Sequence, residues 1–358
     1  MMQMPSVPRH PLIEQHFTHP PEWRMNPVTG EWIIVAPERA ARPMLSDSRS
    51  TPAPDDEPCP FCEHHEYLTP GELFALRTPG TAADSPGWSV RVVPNAFAAV
   101  RREGRPDPLG DGFFHRANGI GRHELFLECP QHETNLAKLD VAQVQLVVRV
   151  WRERLRDAGR DPNLKYAQLF KNHGSDAGAS VEHAHSQMIA TPMLPVTVRD
   201  ELEFARNFHL ATGLCIYCEL LRREKADGTR AIFETDDFSV FSAFAARQPF
   251  ETWIVPKEHR SEFESIDDAV ANAFGSVLSA TLRQIESALD GPAYNLVFHS
   301  APFHDAPLPH YHWHVEVLPR LTQLAGYEWG TGSHVNPILP EDAAAVLRET
   351  LLWAPRRP

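Results

Sequence analysis

The sequence lacks any apolar run approaching the roughly 20 residues needed to span a bilayer as a helix. Its start, MMQMPSVPRHPLIEQHF, carries no apolar signal core. Both absences lead us to expect a cytoplasmic protein with no membrane partner. Cysteine is scarce, five in 358 residues, and the odd count with two C-x-x-C pairs speaks against a disulfide framework. Positive charge is also short: 34 Lys and Arg face 47 Asp and Glu, for a net charge of −13. A field of that sign repels nucleic acid polymers and does nothing to draw in phosphate. An anionic small molecule would have to be held by local positive groups. No low-complexity tail is present.

What remains has the composition of a globular chain, 42% hydrophobic and 23% charged, and is long enough for two ordinary domains. Thirty-three prolines point to fixed turns and extended arms, and RSTPAPDDEP at 49–58 reads as a solvated loop. The chain repeats itself. CPFC (Cys59, Cys62) and CIYC (Cys215, Cys218) each precede a strand-like piece, then an apolar strand running through proline to His132 or His259. Asp140 and Asp267 can each cap an amphipathic helix. YAQLFKN and YNLVFHS follow as strands, and each half ends on H-x-H: His183 and His185, or His312 and His314. His132 to His183 is 51 residues, and His259 to His312 is 53. The pattern predicts an α+β fold made of a duplicated unit, each copy an antiparallel sheet with a long packed helix. The expected division is an N-terminal catalytic domain over 1–198 and a C-terminal domain over 199–358.

Each half offers two thiolates and two histidines. Cys59, Cys62, His132 and His183 form one expected set, and Cys215, Cys218, His259 and His312 the other. A Cys2His2 set suits closed, tetrahedral, structural Zn2+. A dithiol redox pair is the competing reading of CPFC, but it would need no matching histidines. Cys129 reads as a small buried hydrophobe.

Strand alternation should put His183, His185 and Gln187 on one face. With His183 on metal, His185 is left as a rigid neutral imidazole, a good nucleophile toward phosphorus. Gln187 adds an uncharged donor for a developing phosphoryl oxyanion. Asn172, Gly174, Gly178 and Ser180 in KNHGSDAGAS could bring backbone N–H groups to phosphate oxygens, although an ordinary hairpin loop would look similar.

These motifs, with NPVTGEWIIVAPERAARP, VPNAFAAV, ECPQH, NHGSDAGASVEHAHSQ and GYEWGTGSHVNPILPED in order, resemble the galactose-1-phosphate uridylyltransferase branch of the histidine triad superfamily. The resemblance implies a covalent nucleotidyl-histidine on His185. It implies phosphate contacts at Arg39, Arg42, Asn172 and Ser180, a nucleoside contact at Asn95, and sugar contacts at Tyr327 and Glu328. It also implies a homodimer, and a ping-pong reaction moving UMP between UDP-glucose and a hexose 1-phosphate such as galactose 1-phosphate. Two departures matter. Ala184 stands where the best-known uridylyltransferases have proline, and GTGSHVN resembles plant-type ADP-glucose phosphorylase, which transfers AMP to inorganic phosphate. A nucleotide hydrolase and a zinc-stapled binding module without catalysis are the remaining alternatives. Gln187 counts against the first, and an intact His185 and Gln187 against the second.

Overall fold

Short β-branched and aromatic runs, cut by proline and glycine, become strands, while the longer runs with 3.6-residue periodicity become helices. The structure, a computed structural model, describes residues 22–35, 58–105, 108–110, 113 and 115–353. In chain order the elements are β1 (Glu22–Met25), β2 (Trp32–Val35), β3 (Phe74–Arg77), β4 (Trp88–Pro94), β5 (Pro108–Gly110), β6 (His115–Ala117) and β7 (Arg122–Leu127). Next come α1 (Val141–Gly159), β8 (Tyr166–His173), β9 (His185–Thr191), α2 (Val196–Thr212), α3 (Ile216–Asp227), β10 (Ala231–Glu234), β11 (Phe238–Ser242) and β12 (Thr252–Pro256). The last are α4 (Asp268–Leu289), β13 (Tyr294–His299), β14 (His314–Pro319), α5 (Gly326–Thr331), β15 (Val335–Asn336) and α6 (Pro340–Trp353).

Ten strands form one sheet in the order β10-β11-β12-β14-β13-β8-β9-β7-β4-β3. Every pairing in it is antiparallel. The order reads alike from both ends: three strands preceding a long helix, then two strands following it. β13 and β8 meet at the middle, with Asn295 opposite Asn172. β1, β2 and β15 make a separate sheet, β15 running parallel to β2.

The two long helices start where the sequence predicts. Asp140 Oδ1 accepts from Gln143 N at 2.7 Å, and Asp267 Oδ1 accepts from Val270 N at 2.9 Å. α1 and α4 cover one face of the sheet and touch each other. At Gly275 of α4 a Cβ would fall 2.9 Å from Gln145 Cα of α1, so any larger residue would push the helices apart. Val144, Val148, Trp151 and Leu155 of α1, with Phe274, Leu278 and Leu282 of α4, pack on Val92, Phe126, Leu169, Met188, Leu296 and Val315 of the sheet.

The opposite face is where the halves differ. In the second half α2 and α3 close it, with Ala205, Ile216, Tyr217 and Leu220 against Phe241, Trp253 and Val255. In the first half the apolar cover is smaller: Phe61 packs on Trp88, Val93, Leu125 and Leu127 of the strands. Beyond that cover the face carries Asn95, His123, Asn172 and Gln187. No helix among the described residues is long and apolar enough to cross a membrane.

Candidate functional site

β9 begins at His185, and its side chains alternate. Ser186, Met188 and Ala190 are buried on the helix side, where Ser186 Oγ accepts from Trp151 Nε1 at 2.6 Å. His185 and Gln187 take the other face, opposite Leu127 and Leu125 of β7. His183 is not in the strand, contrary to the expectation from alternation: it sits in a bend just before β9. The two imidazoles still share a neighbour. The Phe61 ring, inside the CPFC turn, meets His183 and His185 edge-on at centroid distances of 6.1 and 5.3 Å.

His185 is 5% exposed. Its Nδ1 lies 2.8 Å from the His183 carbonyl oxygen, so Nδ1 carries the proton and Nε2 keeps its lone pair. Burial, helped by the nearby Lys171 charge, pulls the imidazole pKa down to about 4, so the ring is neutral around pH 7. Behind it, Lys171 Nζ donates to Glu128 Oε2 at 2.7 Å and to the His185 carbonyl at 2.9 Å. Both side chains of that ion pair are buried.

The ligand atoms of Cys59, Cys62, His132 and His183 all lie within 4.8 Å of one another, as do those of Cys215, Cys218, His259 and His312. In the first set the Cys62–His132, Cys62–His183 and Cys59–His183 separations, sulfur to Nδ1, are 3.4, 3.6 and 3.7 Å. In the second, Cys218 Sγ is 3.5 Å from His259 Nδ1 and 3.8 Å from His312 Nδ1. A tetrahedral ion with bonds of about 2.0–2.3 Å sets edges of about 3.3–3.8 Å, so both donor sets could hold a metal ion. The outer nitrogens are placed for it: His183 Nε2 donates to the Cys129 carbonyl at 2.9 Å, and His259 Nε2 lies 3.2 Å from the Leu308 carbonyl. Burial and the adjacent Cys59 push the Cys62 thiol up to about 12, a strain that a bound cation would reverse.

Comparisons with known proteins fit this geometry. The family model described as "Galactose-1-phosphate uridyl transferase, N-terminal domain" matches residues 13–195. A second, "Domain of unknown function (DUF4921)", matches 137–354. ADP-glucose phosphorylase of Arabidopsis thaliana is 36% identical over 338 residues, covering 93% of each chain. The chain belongs to the galactose-1-phosphate uridylyltransferase family. The Thermotoga maritima galactose-1-phosphate uridylyltransferase is 29% identical, covering 92% of this chain and 98% of its own. The crystal structure of the Arabidopsis phosphorylase with bound ADP-glucose superposes with a TM-score of 0.78 at 34% identity, covering 92% of this chain and 98% of that one.

The remaining expected residues of this family member fall in four groups. Asn172, Asn95 and Gln187 lie on the His185 face, where Asn95 Nδ2 is 3.5 Å from Gln187 Oε1. Ser180 is exposed in the loop between β8 and β9. That loop turns at Gly174 (φ 80°) and Gly178 (φ 86°), and a Cβ on Gly174 would meet Ala293 Cβ at 2.8 Å. Tyr327 and Glu328 are not brought to His185 by any hydrogen bond or ring contact among the described residues. They sit on α5, where Glu328 Oε2 accepts from Ala325 N at 3.0 Å and caps its own helix. Arg39 and Arg42 lie outside the described residues.

Sequence reasoning missed three features. His123 Nε2 lies 3.0 Å from Gln187 Oε1. The Lys171–Glu128 pair lies under His185. The third is a buried charge network in the second half, where His314 and Glu316 take the places of His185 and Gln187. His314 Nδ1 is 3.1 Å from the His312 carbonyl, repeating the His185 arrangement. But its ring is stacked between His299 (4.4 Å) and Trp253 (4.9 Å), under α2 and α3. His299 Nδ1 is 3.0 Å from Glu201 Oε2 and its Nε2 is 3.3 Å from Glu316 Oε2. Burial alone would lower the His299 pKa, but the two carboxylates win and raise it to about 10. Glu201, His299 and His314 lie close enough to hold an ion, yet His299 already serves there as the counter-charge. The sequence does carry a signal for this network: Glu316 stands where the first half has Gln187.

Proposed function

We propose that this chain is a nucleotidyltransferase in which His185 takes a nucleoside monophosphate from a nucleotide sugar and hands it to a phosphate-bearing acceptor. The observation that carries the reading is the Nδ1–H of His185 donating to the His183 carbonyl, which leaves the Nε2 lone pair free in a neutral ring. Nε2 attacks the α-phosphorus. The bond to the bridging oxygen breaks, and hexose 1-phosphate leaves. An oxygen of the acceptor phosphate then attacks the same phosphorus, the P–N bond breaks, and His185 is regenerated. Both steps pass through similar transition states, so one site serves both. Asn172, Ser180, Gln187, Arg39 and Arg42 hold the phosphates, and Asn95 meets the nucleoside. The reading includes a homodimer, in which the exposed Tyr327 and the half-buried Glu328 of one copy meet the sugar held by the other.

Zinc in both Cys2His2 sets is part of the reading. It supplies folding free energy. In the first half it also fixes His183, whose carbonyl orients His185. Thiolates available to a metal suit the reducing cytoplasm.

The higher identity with the Arabidopsis phosphorylase than with the Thermotoga uridylyltransferase supports adenylyl transfer from an ADP-sugar to inorganic phosphate. GTGSHVN supports the same substrates, since its end, β15, pairs with β2, just before Arg39 and Arg42 in sequence. Uridylyl transfer between UDP-glucose and galactose 1-phosphate is the second reading, supported by the family match over 13–195. Four incubations separate them: ADP-glucose or UDP-glucose, each with phosphate or galactose 1-phosphate. ADP and glucose 1-phosphate from the first sugar with phosphate support the phosphorylase. UDP-galactose from the second with galactose 1-phosphate supports the transferase. Release of free nucleoside monophosphate alone would mean a hydrolase and contradict both.

A further inference from the structure

Gln187 and Asn172 are amides, and an amide serves an anionic phosphoryl group only with its NH2 end. Which end faces the pocket is decided by backbone groups that cannot be turned round, acting through two residues outside the expected site.

The first chain of hydrogen bonds starts at Ala99. Its backbone N–H lies 3.1 Å from His123 Nδ1, so Nδ1 must accept and the neutral ring carries its proton on Nε2. His123 Nε2–H then donates to Gln187 at 3.0 Å, and the atom receiving it must be Oε1. Asn95 Oδ1 accepts from Phe97 N at 2.8 Å, so its Nδ2 faces both His123 Nε2 at 3.1 Å and Gln187 Oε1 at 3.5 Å; with Nε2 protonated, only the Gln187 oxygen can accept from either. With Oε1 occupied, the Gln187 NH2 is left to face outward.

The second starts at the Ala177 carbonyl, in the loop between β8 and β9. It accepts from Asn295 Nδ2 at 2.9 Å, which fixes the Asn295 amide. The other N–H of that amide donates to Asn172 Oδ1 at 2.9 Å. The Asn172 NH2 is thereby turned toward the loop, where a Cβ on Gly178 would lie 3.7 Å from Asn172 Nδ2.

We infer that His123 and Asn295 are positioning residues that lock the Gln187 and Asn172 amides with their donors toward the phosphoryl oxygens. The inference rests on the nucleotidyl-transfer reading. It also gives the second half a part in the site, since Asn295 belongs to β13.

The test is a pair of double-mutant cycles on the rate of His185 nucleotidylation, with thermal midpoints measured alongside. His123→Phe should slow nucleotidylation about tenfold to a hundredfold, the order expected when one oriented donor is lost. It should cost almost nothing further in a Gln187→Ala background. His123→Gln, which keeps a donor amide, should recover part of the rate. Asn295→Asp presents acceptors to the Ala177 carbonyl and to Asn172, so it should turn Asn172 round and slow the reaction. In Asn172→Ala it should have little effect. Asn295→Ala replaces it if the aspartate lowers the thermal midpoint. Losses that multiply in the double variants, or single variants as fast as wild type, would overturn the positioning role while leaving the nucleotidylated wild type intact. A wild type that takes up no nucleotidyl group from any nucleotide sugar overturns the reading and this inference with it.

Discussion

Replacing Lys171 by methionine should be among the costlier single changes behind His185. Lys171 is 1% exposed, and its ammonium makes two contacts: Glu128 Oε2 at 2.7 Å and the His185 carbonyl at 2.9 Å. Methionine keeps the length and loses both. Glu128 is then left fully buried and without a cation, and its Oε1 already has no hydrogen-bond partner among the described residues. Stranding one member of a buried pair costs about 3–5 kcal/mol. The lost charge-assisted hydrogen bond to the His185 carbonyl adds about 1.5–3 kcal/mol. Urea unfolding followed by tryptophan fluorescence measures the sum. The control is Lys171→Met with Glu128→Gln, which removes the stranded charge and should restore most of the stability. A single variant within about 1 kcal/mol of wild type would refute the reasoning, because the penalty for a lone buried charge is larger than that. So would a double variant no more stable than the single one.

Burial pushes the Glu264 carboxyl up from its usual 4.5 to about 7. The folded state thus holds that proton more tightly, so stability falls as pH rises from about 4.5 through 7. Glu264→Gln should therefore stabilise by about 1–3 kcal/mol at pH 8 and change little at pH 4, read from the pH dependence of the urea midpoint. Protein purified without chelators should carry two zinc ions per chain by elemental analysis; Cys59→Ser and Cys215→Ser should each lose one, and a zinc-free wild type would contradict the metal assignment. Arg39→Ala or Arg42→Ala should lower kcat/KM for nucleotide sugar about tenfold to a hundredfold, the worth of one charge-assisted hydrogen bond to phosphate.

Much of the architecture is legible in local sequence pattern. Asp140 and Asp267 announce two helices because a carboxylate ahead of an apolar-periodic run has one obvious use. The metal sets are legible because the spacing repeats, and one repeat checks the other. Pairing across strands is not legible. Nothing in the string ties His123 to Gln187, or Asn295 to Asn172, since those contacts depend on β7 lying beside β9 and β13 beside β8. The placing of His183 in the strand fails for a related reason. Strand alternation carries back two residues too far, whereas the chain bends at His183 so that its Nδ1 meets Cys59 and Cys62.

The central claim is that His185 carries the nucleotide, and intact mass tests it most directly. Wild-type protein mixed with ADP-glucose or UDP-glucose should gain the mass of one nucleoside monophosphate from the sugar it uses. The adduct should be labile to acid, as a P–N bond is. His185→Gly should keep its fold and zinc and gain nothing, whereas His183→Asn should lose metal and thermal stability. An equal adduct on the His185→Gly protein would contradict the account.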